Sequence, residues 1–181
     1  MNKELALRIR ENKGRQVLKT LLPRLQQMLN YTTIECLKLS DTDRLIDLHK
    51  KGYQRSVEHA PETFRIVLSQ KDLGKLPLFL ECVKAGLEKQ QIYLLLKQSE
   101  FCGVFVIPLG LTLDHFEGII QQDGDSVSVL TQDEKQGFLL DWNAGDTEET
   151  YDISFWGPNW SIQANKCADL FGKATSNWNS S

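Results

Sequence analysis

The spacing of apolar residues changes along this chain, and that change limits what it can fold into. Val17, Leu18, Leu21, Leu22, Leu25, Met28 and Leu29 recur at three- and four-residue intervals, which places them on one side of a 3.6-residue helix. Pro23 falls inside the pattern and predicts a kink or break near Leu22. A second helix is expected after Ser40, whose hydroxyl is placed to cap free amides while Asp41 and Asp43 suit the positive first turn. Its apolar stripe is Leu45, Ile46, Leu48 and His49, running to about Val57. Pro77, a favoured first helical residue, predicts a third helix through Phe79, Leu80, Val83 and Leu87.

From Ile92 the period shortens. Ile92–Leu96 and Val104–Ile107 are apolar runs separated by Ser99-Glu100, as in a hairpin of buried strands. Asp123-Gly124-Asp125 signals a turn, and Ser126–Leu130 then alternates between apolar and polar. Gly137–Trp142 and Thr150–Trp156 follow further polar turns, which argues for an antiparallel meander. Helices first and strands later predict an α+β fold: amino-terminal helices packed on a carboxy-terminal antiparallel sheet of about five strands. A last short helix after Trp160 is expected to turn Ile162, Cys167, Leu170 and Phe171 inward. The domain is expected to span residues 1–173, with 174–181 a disordered polar tail.

Length and composition agree with one core. The chain has 181 residues, 41% apolar and 25% charged, enough to sustain a domain without disulfides or metal. No apolar run approaches the roughly 18–20 residues that cross a bilayer, so membrane insertion is not expected. Met1–Ala6 lacks the features of an export signal, which predicts a soluble cytoplasmic protein. Cys36, Cys82, Cys102 and Cys167 are widely separated among apolar neighbours and read as four buried thiols.

Motifs for catalysis are missing. The chain holds no glycine-rich phosphate loop, no His-Glu-x-x-His and no Gly-x-Ser-x-Gly. His49, His59 and His115 are far from one another, and neither a metal nor a cofactor is expected. Asp123-Gly124-Asp125 lacks the later ligands and closing glutamate of a calcium loop. The best enzymatic grouping is Cys102 with Asp114 and His115, a thiol, an acid and a base that would have to meet in the fold.

Charge is unevenly distributed. Through Asn30 seven basic residues stand against two acidic ones, and from Leu111 to Trp160 eleven acids stand against one lysine. The basic helix offers a third reading, a nucleic-acid or membrane adaptor. It has no aromatic residue before Tyr31 on which a base could stack, so nucleic acid is not the expected partner. The most distinctive stretch is Asp141–Trp160, with three of the four tryptophans and five acids. Indoles make rigid, amphipathic contacts, and acids around them draw a basic partner. Within it Trp142 is expected in the core, while Asp146, Glu148, Glu149, Asp152 and Trp160 are expected to form a partner-binding surface. The leading expectation is a non-catalytic inhibitor of the immunity type. Its carboxylates would take the places of substrate phosphates on a basic protein such as a bacterial nuclease toxin.

Overall fold

The computed structural model describes residues 3–144 and 149–168. The first part of the chain is helical, as the apolar stripe demands. Helix α1 (Lys3–Leu29) leads through a two-residue strand β1 (Glu35–Cys36) into α2 (Leu39–Val57). Strand β2 (Thr63–Leu68) follows, then a 3-10 turn at Leu73–Lys75 and helix α3 (Leu76–Lys84). Next come β3 (Gln91–Leu95), the short helix α4 (Ser99–Cys102) and β4 (Phe105–Pro108). Helices α5 (Leu109–Asp114) and α6 (Phe116–Asp123) lead into the meander β5 (Ser126–Thr131), β6 (Gly137–Ala144) and β7 (Glu149–Trp156). Helix α7 (Pro158–Ala168) closes the described chain.

The fold is α+β, with one antiparallel sheet of seven strands rather than about five, in the order β1-β4-β3-β5-β6-β7-β2. The two strands beyond the expected set, β1 and β2, come from the helical half and form the two edges. Each face of the sheet buries a different set of side chains, as period-two alternation requires. Leu94, Phe105, Val129, Phe138 and Phe155 point into the main core, against Leu21, Leu25 and Leu29 of α1, Phe79 of α3 and Trp160 of α7. Leu95, Val104, Leu130 and Trp156 point the other way, where Leu45 of α2 closes a second, smaller core.

Several local expectations change. Helix α1 runs unbroken through Pro23, which lies on the exposed side while Leu21 and Leu25 are buried at 3% and 1% exposure. Burial of that stripe outweighs the local cost of the proline. Helix α2 starts at Leu39, with Lys38 at its cap position and no side-chain cap, so Ser40 does not cap it. The chain is already fixed at that point, because the Leu37 amide bonds the Val104 carbonyl at 2.8 Å. Ile162 faces solvent at 54% exposure, and the inward stripe of α7 is Trp160, Ala164, Cys167 and Ala168. Leu170, Phe171, the boundary at 173 and the tail lie outside the described residues.

Two of the four cysteines are not thiols. Cys82 on α3 and Cys167 on α7 form a disulfide with Cα atoms 5.8 Å apart, while Cys36 and Cys102 are free. They lie 85 residues apart in sequence, so only the packing of α3 beside α7 brings them together. Cross-linking so long a loop restricts the unfolded chain, a contribution of roughly 2–4 kcal/mol. Alkylation of unreduced, denatured protein is therefore expected to modify two cysteines, and reduction to lower unfolding stability by about that amount. Modification of all four without reductant would contradict the pairing.

Candidate functional site

The acidic half is partly answered from within. Arg44 of α2 pairs with Glu134 in the β5–β6 turn, Lys84 of α3 with Asp114, and Arg65 of β2 with Asp152 of β7. The last pair is bidentate, with Arg65 Nε 3.0 Å from one carboxylate oxygen and Nη2 2.5 Å from the other, and Asp152 is only 8% exposed. Asp152 thus ties the edge strand to its neighbour and does not stand open to a partner. The basic helix is treated the same way. Arg8 pairs with Glu4, Arg10 with Asp43, and Lys13 lies 3.3 Å above the centroid of the Phe101 ring.

Trp160 does not sit at a rim either. It is 2% exposed and packs 6.0 Å from the Phe138 ring centroid. The buried Gln136 side chain accepts hydrogen bonds from the Asn159 and Trp160 amides at 2.9 and 3.0 Å, so a side chain from the β5–β6 turn caps α7. Its expected place on an exposed surface is corrected to the core. Asp146 and Glu148 lie outside the described residues, and Glu149 is exposed at the first position of β7.

Among the described residues, the tryptophan that stays partly open is Trp142. It pairs across the β6–β7 hairpin with Tyr151, and both rings are half-buried against the main core. The Tyr151 ring meets Phe116 of α6 edge-on at 6.4 Å. Burial raises the Tyr151 phenol above its ordinary value, and the neighbouring carboxylates of Glu117 and Glu149 push it further. On the opposite face of the same hairpin, Asp141 stands directly across from Asp152. Burial, then the charges of Asp125 and Asp152, lift the Asp141 carboxyl above its usual range. Among the described residues no cation pairs with Glu117, Asp141 or Glu149. The outer end of the hairpin therefore carries two half-open aromatic rings and three carboxylates that the fold does not neutralise.

The sequence reading put Trp142 in the core and Trp160 at the surface, and the fold reverses their exposure. Trp142 and Trp160 are both near acids and turns, but only the register separates them. Trp142 lies two residues from the open end of β6, whereas Trp160 is on the first turn of α7, beneath which Phe138 lies.

The enzymatic grouping is not supported by the packing. The buried Cys102 thiol donates to the Gln98 carbonyl at 3.2 Å, and Asp114 is held by Lys84 on α3. His115 is the hinge residue between α5 and α6. His49 is buried against the Trp156 ring, and desolvation holds its pKa down to about 4, so it is neutral at ordinary pH. No group of acids, histidines and cysteines suited to a metal occurs among the described residues. No helix is long and apolar enough to cross a membrane, also among those residues. No protein-family model, curated protein or solved structure matches the chain.

Asp141 carries a cost that the long hydrogen bond from Asn143 only partly offsets, and the sign of that cost can be measured. A carboxyl whose pKa is raised on folding binds its proton more tightly in the folded state. It therefore weakens the fold above the raised value and has no effect below the unfolded value of about 4. Asp141→Asn is expected to be more stable than the parent at pH 7 in urea, with the gain shrinking as pH falls through the raised pKa. A variant less stable at neutral pH would show that Asp141 has a stabilising partner.

Proposed function

We propose that this is a non-catalytic binding protein, an inhibitor of the immunity type, which holds a basic protein at the outer end of the β6–β7 hairpin. The observation that carries this reading is the pairing of Trp142 and Tyr151 beside Glu117 and Glu149, with Asp141 on the other face of the same hairpin, three acids with no ion pair among the described residues. Half-open aromatic rings supply rigid contact area, and uncancelled carboxylates supply attraction and orientation. Asp146 and Glu148 stand between the two strands in sequence. A basic nuclease toxin is the partner that best suits such a surface, because its phosphate-binding cations would meet carboxylates in place of substrate. The same reading places the protein in the cytoplasm. In that compartment thiols are held reduced, and Cys82 and Cys167 would stand there as an adjacent dithiol.

Binding kinetics test the proposal against basic proteins encoded by the genes that flank its own. Glu117→Gln/Asp141→Asn/Glu149→Gln is expected to slow association about tenfold at low salt and flatten its salt dependence. Trp142→Ala, shown to be folded, is expected to speed dissociation by about 30-fold, the equivalent of roughly 2 kcal/mol at a hot spot. Unchanged association and dissociation in folded variants would place the interface elsewhere, and turnover of a substrate without any partner would favour an enzyme.

A further inference from the structure

Helix α7 is held by unequal means along its length. Its first turn is anchored twice, by the Gln136 side chain that accepts the Asn159 and Trp160 amides and by the Trp160 ring buried beside Phe138. From Ser161 onward the buried residues are Ser161, Ala164, Cys167 and Ala168, none larger than cysteine. Side chains of that size remove far less apolar surface from water than a leucine or an indole, so packing holds this half weakly. Two links to α3 remain. The Gln163 amide donates to the Cys82 carbonyl at 3.0 Å, and the Cys82–Cys167 disulfide fastens the last described turn.

The rest of the fold does not hang on this bond. Leu21, Leu25, Phe105 and Val129 on one face of the sheet, and Leu45 and Trp156 on the other, pack α1 and α2 without any residue of α7. The two sulfurs are also unequally placed. Cys167 is fully buried, whereas Cys82 is half-buried on α3 and is the one within reach of a thiol from solvent. A disulfide open on one side is of the labile, regulatory kind.

We propose that Cys82–Cys167 is a redox latch on the second half of α7. A dithiol reductant attacks Cys82 Sγ as a thiolate, the bond to Cys167 breaks, and Cys167 leaves as a thiolate that takes up a proton. The second thiol of the reductant then displaces Cys82, so two electrons pass to the protein and the reductant departs as its own disulfide. With the bond open, the end of α7 keeps only small side chains and the Gln163 hydrogen bond among the described residues, and it lifts from α3, β2 and β7, on which it packs. An oxidant disulfide closes the latch by the reverse exchange. The device goes beyond the binding reading, because it acts on α7 and works whether or not the hairpin holds a partner.

Native-state hydrogen exchange of the whole protein, with and without dithiothreitol, is the test. A bond that only staples the whole fold would, on reduction, accelerate helix and sheet alike. The latch predicts that exchange at Asn165, Lys166 and Cys167, relative to that at Val127 and Val129 of β5, rises at least about tenfold on reduction. Oxidised glutathione is expected to restore the original ratio. Cys82→Ala is expected to show the raised ratio without reductant, and iodoacetamide to modify its Cys167 at least about tenfold faster than the buried thiol of Cys102. An unchanged ratio on reduction, a bond that dithiothreitol does not open in the folded protein, or a Cys167 as slow as Cys102 in the folded variant would each overturn the proposal.

Discussion

The indole of Trp156 sits in a slot between two glycines, and the arrangement of the whole second face follows from it. A Cβ at Gly52 of α2 would overlap the Trp156 ring from one side, and a Cβ at Gly137 of β6 would overlap it from the other. His49, one turn before Gly52, closes the slot with its ring edge-on at 4.9 Å. Two missing side chains thus let a helix and a strand close on one large ring, at the packing density of a protein interior. With α2 seated there, Leu45 reaches Leu95, Val104 and Leu130, and Arg44 reaches Glu134. Trp156 marks one end of β7 and Glu149 the other, about 23 Å away at strand rise. The helix anchors the first end, and the half-open rings and the carboxylates with no ion pair among the described residues gather at the other.

Much of this was legible in the sequence, because burial on one face repeats at a fixed period. The stripe on α1, the third helix at Pro77, which ends at Lys84 short of the expected Leu87, and the five inner strands follow from spacing, and Leu21 and Leu25 are buried as that spacing implies. Strand β2 was also there to be found: Phe64, Ile66 and Leu68 alternate with Thr63, Arg65 and Val67 between Pro61 and Ser69. It was masked by its position among helices. Strand β1 has two residues, too few for any period, and exists because its partner β4 supplies hydrogen bonds.

The site was less legible, because it depends on which charges meet. Composition showed a basic start and an acidic second half, which reads as an offer to a partner. In the folded chain part of that offer is taken up internally, since Arg44, Arg65 and Lys84 from the first half neutralise Glu134, Asp152 and Asp114 from the second. No local pattern announces a pairing over 87 residues such as Arg65 with Asp152; it follows from β2 joining β7 at the sheet edge. The disulfide between α3 and α7 was hidden for the same reason.

The seating of α2 on Trp156 is tested most directly by a double-mutant cycle in urea. Gly52→Ala removes the gap that admits the ring and is expected to destabilise the parent by roughly 1–3 kcal/mol, the cost of overpacking. In a Trp156→Leu background the ring is gone, and the same change is expected to be neutral or to stabilise by up to about 1 kcal/mol, since alanine favours a helix interior over glycine. That reversal of sign is the result predicted here. An equal loss in both backgrounds would show that Gly52 is needed for some other reason and that the indole does not set the position of α2.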